Sequence, residues 1–368
     1  MNNENIERYQ EVLEKIGISI FPKDRNYWFV RTQGGKYYNT FDKEEFIGIE
    51  WDEISDLELI NKKDEDALKE EVVHFYPTIE KPGYVVKQIL KFAHNIRKGD
   101  IVLIPSENSR WINIGEVQSN EMYIYDEEFE DLLESLDEDD SEKKQILKKR
   151  KKVKWIKSVK KSDLDPYLYS IIYTHVAVAD IKKYSDFIDR TISQFYIKGD
   201  EASFTYKVNK KRNIPYSDMR DFLRANDNIF DYLNENIEEF NIEDLIFKIN
   251  VQLKGPIQFK GSIKTVLVGG LVISFLFGSD VSFELFGFNF QMQTEGLPKL
   301  LREISEMKNS KSDDLEKLRE EINKSGEKLE VTTPELESEP VDENALDEVT
   351  NEENTQTIKE DTQGNINK

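Results

Sequence analysis

IRKGDIVLIPSENSRWINIGEVQS, residues 96–119, decides how the first half of this chain is read. Gly99-Asp100 is a turn signal, and DIVLIP (100–105) is a short apolar run of strand type. SENSR is polar loop, and INIGEVQS (112–119) is a second strand with a glycine kink. Towards the N-terminus, YWFVRT (27–32) reads as a strand closed by the turn Gln33-Gly34-Gly35-Lys36, and FIGIEW (46–51) as another. Residues 64–76 are helical up to Pro77, and 82–97 open on Pro82-Gly83 with Val85, Ile89, Phe92 and Ile96 at helical spacing. Towards the C-terminus, VKWIKSV (153–159) is a further strand, and Asp163 to Pro166 reads as a boundary. These elements predict a β-rich unit over residues 24–176.

The rest of the chain is mixed. Ile6, Tyr9, Val12, Leu13 and Ile16 predict a leading helix within residues 1–23. Residues 177–325 predict an α+β domain, with helices at 180–195, 216–236 and 297–324 and strands at 202–208, 245–253 and 281–292. Thr265 to Ser279 is uncharged for 15 residues. A membrane-spanning helix needs about 20, so segment 263–279 is read as a buried hairpin or short helix. The alternative is a membrane-inserting or oligomer-facing segment, which would make the protein a membrane-acting or oligomerising effector. Residues 331–368 hold almost no large apolar side chains, and 335–368 carry 11 acids against 2 lysines. Such a segment buries too little surface to offset its ordering entropy, so a disordered acidic tail is expected.

The net charge of −22 is unevenly placed. Residues 126–142 hold 11 acids and no base, and residues 143–161 hold 11 bases and no acid, so a charged insert at 126–152 interrupts the β-rich unit. Local field governs binding more than the chain total. The chain has no cysteine, which excludes disulfides and thiolate metal sites and favours a cytoplasmic setting. Met1 to Gly17 lacks the pattern of a signal peptide.

Enzyme chemistry finds no constellation. Asp200-Glu201 to Lys207 lacks the upstream acid that a metal-dependent nuclease needs, and reads as an exposed strand. His74, His94 and His175 are widely separated, and Gly269, Gly270 and Gly278 are followed by no phosphate-loop lysine. No metal, cofactor or catalytic residue is expected. The tryptophans carry more information, since all four lie between Trp28 and Trp155. Trp155 sits in an alternating strand and reads as core. Trp51 ends its strand and Trp111 follows a polar loop, so both suit the wall of a base-stacking pocket.

Taken in order, YWFVR, FIGIEW, HNIRKGDIVLIPS, INIGEV and VKWIKSV resemble the EVE-like branch of the PUA-like superfamily, in particular the N-terminal recognition modules of Mrr-type restriction proteins. The resemblance covers about residues 26–175 and departs from the family at the charged insert. It implies a compact β-barrel with flanking helices that binds DNA or RNA, with a modified base held in an aromatic pocket. Trp28, Trp51 and Ser106 stand in the matching phrases and, with Trp111, form the expected base-binding set. Arg31, Lys36, Arg97, Lys98 and Arg110, from turns and strand ends of the same unit, form the expected phosphate-binding set. The function expected is therefore non-enzymatic recognition of nucleic acid within a restriction or antiviral defence system. A separate nuclease or ATPase and a second copy of the chain are the further partners this reading admits.

Overall fold

The computed structural model describes residues 10–125, 147–210, 212–249, 256–278, 297–309, 312–334 and 336. The acidic run 126–142, the strand expected at 281–292 and the chain beyond 336 lie outside the described residues. The strands are β1 (Ser19–Phe21), β2 (Tyr27–Val30), β3 (Phe46–Ile49), β4 (Ile101–Pro105), β5 (Trp111–Val117), β6 (Tyr123–Ile124), β7 (Lys149–Lys160), β8 (Val178–Asp180), β9 (Phe195–Lys198), β10 (Glu201–Val208), β11 (Leu245–Ile249), β12 (Pro256–Ser262) and β13 (Val331–Thr332). The chain divides into two compact α+β units, residues 24–192 and residues 1–23 with 193–368.

In the 24–192 unit the sheet runs β3-β7-β5-β4-β2-β8, with β6 paired to β7. Its ends, β3 and β8, are separate, and the sheet curls as a half-barrel. The β2–β4 pair is parallel and the other neighbours are antiparallel. The central strands are buried on both faces, as the period of two requires when each face has a cover. Trp28, Val30, Val102 and Ile104 pack with Leu68, Val72, Val85 and Ile89 of the helices Glu65–Phe75 and Pro82–Leu90. Tyr27, Phe29, Ile101, Leu103, Ile112 and Ile114 pack on the other face with Leu164, Leu168, Ile171 and Ile188. The glycine kink at Gly115 has a steric cause, because a Cβ there would lie 2.5 Å from Val153 and 2.6 Å from the Trp155 ring.

Asp100 ties this unit together. It is buried, and its carboxylate accepts from the Trp28 indole N–H at 2.8 Å, the Arg97 amide at 2.9 Å, the Asn26 amide at 3.1 Å and the Asn26 side-chain amide at 3.2 Å. A buried carboxylate is tolerated when its lone pairs are satisfied in this way.

The boundary expected at 176 falls too early. β8 pairs with β2, and in the helix Ser185–Ile192 the buried Asp189 accepts from Arg25 at 2.6 Å and from the Tyr27 hydroxyl at 2.5 Å. A strand-forming Val-Ala-Asp and a helix face that completes the core keep the chain in this unit up to Ile192.

The other unit holds both ends of the described chain. Its sheet runs β1-β9-β10-β12-β11, with β13 added beside β10, and β1 is parallel to β9. The leading helix, described as Gln10–Lys15, therefore belongs here, and Leu13, Ile16 and Ile18 share a core with Phe195 and Phe204. The helical stretch expected at 297–324 is two helices, Leu297–Asn309 and Asp313–Leu329, the second capped by Ser312. The apolar run forms the helix Ile263–Leu276 and is buried in the unit's own core. A Cβ at Gly270 would meet Phe195 and Phe204 within 2.8 Å, so the glycine brings this helix directly onto the sheet. No helix among the described residues is long and apolar enough to cross a membrane. At the start of the acidic tail expected from 331, Val331–Thr332 pairs with Lys207 and Val208, and Leu336 is buried. These apolar groups give that short segment something to bury.

Asp100→Ala should lower the stability of the 24–192 unit by about 3–5 kcal/mol, since it leaves buried N–H groups without acceptors. Denaturant unfolding followed by tryptophan fluorescence measures this directly, because every tryptophan lies in that unit.

Candidate ligand cleft beside Trp51

β3 pairs with β7 so that Ile49 lies opposite Lys149, and the chain leaves the sheet through Glu50 and Trp51. Trp51 has φ +66°, a left-handed conformation that costs a bulky residue roughly 1–2 kcal/mol. Its carbonyl accepts from the Lys149 ammonium at 2.6 Å and from the Ile54 amide at 2.9 Å, and Asp52 accepts from the Lys148 amide at 2.8 Å. The strained turn is thus held from β7.

Beside this turn is a cleft of about 260 Å³. Trp51, Tyr37 and Tyr84 supply aromatic groups, Arg31, Gln33, Glu50 and His175 supply polar ones, and Gly48, Ile49, Leu147 and Ala177 complete the lining. Arg31 continues β2, with its amide donating to Ala177 and its guanidinium donating to the Thr174 carbonyl at 2.7 Å. Tyr37 follows the Thr32 to Gly35 turn and stacks on Phe41, with ring centroids 6.0 Å apart. A Cβ at Gly35 would overlap the Glu107 backbone at 2.3 Å, so this turn needs glycine. Tyr84 stands in the first turn of the helix Pro82–Leu90.

Among the described residues, no hydrogen bond or ion pair engages the side chains of Gln33, Tyr37, Glu50 or His175. Burial, and then the nearby Asp52, push the Glu50 carboxyl above the usual range, while Lys36 pulls it back. Burial also raises the Tyr37 hydroxyl, with Glu50 and Asp52 adding to the effect. The cleft thus offers aromatic walls, open polar groups that include one acid, and the Arg31 guanidinium.

Of the expected base-binding set, the structure places Trp51 on this cleft. The expectation for Trp28 is corrected: its ring is buried in the core with its N–H committed to Asp100. Ser106 is a turn residue whose hydroxyl accepts from the Trp111 amide at 2.8 Å. Trp111 lies outside the cleft lining, 40% exposed at the start of β5, with the Lys160 ammonium 5.2 Å from its ring centroid. Of the phosphate-binding set, Arg31 lines the cleft and Lys36 acts electrostatically on Glu50. Arg97 and Lys98 are exposed in the turn before β4, and Arg110 is exposed beside Trp111. None of these three lines the cleft. Trp155 donates its indole N–H to the Phe41 carbonyl at 2.9 Å and packs against the core.

The basic block splits. Lys149, Arg150 and Lys151 are buried. Lys151 donates to the Ile96 and Asn120 carbonyls, and Arg150 sits over the rings of Phe46 and Tyr125 at 3.9 and 3.7 Å. Lys152, Lys154, Lys157 and Lys160 are exposed on β7. Asp200 and Glu201 are engaged by Lys23 and Lys260. No cluster suited to a metal ion occurs among the described residues.

Residues 28–182 match the family model described as a domain of unknown function (DUF8426), a span that carries every residue of the cleft. No curated protein and no solved structure matches the chain.

Two outcomes follow. Trp51→Gly should cost less stability than Trp51→Ala, because only glycine relieves the left-handed backbone while both remove the ring; comparative denaturation tests this. Burial lowers the Lys149 and Lys151 ammonium groups to about 8, whereas the unfolded chain titrates them near 10.5. Above pH 8 the unfolded state therefore binds more protons, and stability should rise with pH by at most about 1.4 kcal/mol per unit per lysine. The gain should end near pH 10, where unfolded tyrosines begin to ionise. Lys149→Met should flatten this rise in fluorescence-detected unfolding.

Proposed function

We propose that residues 24–192 are an EVE-like, PUA-like nucleic-acid-binding module that holds one base in the Trp51 cleft. The observation that carries this reading is the placing of Trp51, Tyr37 and Tyr84 beside Arg31 in one cleft where Gln33, Glu50 and His175 have no side-chain partner among the described residues. Aromatic faces stack on a base for roughly 1–3 kcal/mol each, enough to offset part of the unstacking cost. Arg31 at the cleft and the exposed Lys152, Lys154 and Lys160 of β7 supply cations for the phosphate chain. Trp111, with Lys160 over its ring, offers a second stacking surface for a neighbouring base. The proposal is one of binding rather than catalysis. Its setting, by resemblance to restriction-system recognition modules, is defence against foreign nucleic acid.

The test is binding of the full chain to short single- and double-stranded DNA and RNA carrying unmodified and modified bases, followed by fluorescence anisotropy. Affinity should fall as salt rises, through counterion release. Trp51→Gly should weaken binding roughly 5- to 150-fold, the equivalent of one lost stack, with the fold retained. Absence of binding to every oligonucleotide at low salt would sink the reading.

A further inference from the structure

We propose that Glu50 reads the exocyclic amine of a bound base, favouring adenine, guanine and cytosine over the same rings without their amine. This rests on the reading of the cleft as a base site. Glu50 immediately precedes Trp51, lines the same cleft, is half-buried, and receives no hydrogen bond from any described residue. A carboxylate in that position is an acceptor with two adjacent oxygens, and it is best satisfied by N–H donors of the ligand.

The base edges then differ sharply. Guanine presents an amine beside a ring N–H, so both oxygens are met. Cytosine and adenine present an amine beside a ring nitrogen, so one oxygen is met when the carboxyl is ionised and both when it is protonated. Thymine and uracil present one N–H beside a carbonyl oxygen, the same donor–acceptor pair as adenine and cytosine, so Glu50 sets them apart from guanine alone. A site built to pair such donors rejects a ligand that lacks them, because its own polar group is left unsatisfied.

The same walls could be taken for a cage that holds a methylated ammonium group, since aromatics with an acid suit a cation. The surrounding charge argues against that occupant. Arg31 lines the cleft, and Lys36 lies close enough to act on Glu50. With Asp52 beside Glu50 the local charge is mixed, which suits a neutral ring better than a second cation.

The experiment uses the full chain and single strands that are identical except for one central base flanked by abasic positions. Three pairs differ only by the amine: adenine against purine, guanine against hypoxanthine, and cytosine against 2-pyrimidinone. A trimethyl-lysine peptide is the fourth probe. Each amine-bearing strand should bind about tenfold or more tightly than its partner. Glu50→Leu, which removes every acceptor, should narrow that ratio towards one, with the melting temperature unchanged. Equal affinities within the pairs, or a preference that survives Glu50→Leu, would overturn the role of Glu50 and leave base binding standing. Failure of every strand to bind, or binding of the peptide alone, would overturn the base site itself. The wild-type amine comparison decides the question even if the Glu50→Leu protein does not fold.

Discussion

The buried carboxylate of Asp100 is the constraint on which the 24–192 unit depends. It sits at the turn into β4 and collects donors from the segment leading to β2, from Trp28 within β2, and from Arg97 before β4. Because β2 and β4 are parallel, no hairpin sets their register, and some other interaction has to. A single acid with four donors does so, and it accounts for an indole N–H and an acid both being buried in an apolar core. Lys151 adds to the balance, since its ammonium lies in the field of Asp100 while donating to two carbonyls.

β7 carries the second unusual feature. Three successive basic residues at its start are inside the protein although the strand reads as solvated charge. Each has its own means of burial: Lys149 holds the Trp51 carbonyl, Lys151 holds the Ile96 and Asn120 carbonyls, and Arg150 lies over two aromatic rings. Breaking such contacts leaves uncompensated buried groups, so this part of the basic block is structural. The consequence for the cleft is direct. Lys149 keeps the Trp51 turn in a left-handed backbone conformation, which puts the indole on the cleft and leaves Glu50 beside it. Strain at a ligand-facing residue, held by buried contacts behind it, is a usual arrangement at binding sites.

Much of this was legible in residues 24–192. The strands at 27–32, 46–51, 100–105, 112–119 and 153–159 were marked by β-branched and aromatic runs between turn residues, and the helices at 64–76 and 82–97 by their apolar spacing. In the other unit the helix at 216–236 was equally plain. The unit boundary was not. Asp165-Pro166 is a good local breaker, but whether a chain leaves a domain depends on what its next residues bury, and Val178 and Ile188 bury into the same core. Among the cleft residues, Trp51 and Arg31 were found, and Gln33, Tyr37, Glu50, Tyr84 and His175 were missed. Glu50 had one signal, its place beside Trp51, and Tyr84 another, its place in a Pro-Gly-Tyr helix start. His175 had none.

By itself the sequence determined the local conformations and the apolar faces, because these follow from side-chain shape and period over a few residues. Tertiary structure alone decided which aromatics are core and which are wall. Trp28 and Trp51 both stand in short apolar runs of strand type, yet one is sealed against Asp100 and the other lines the cleft with a positive φ. That difference is set by partners far away in the chain, Asp100 for the first and Lys149 for the second, and no local pattern records it.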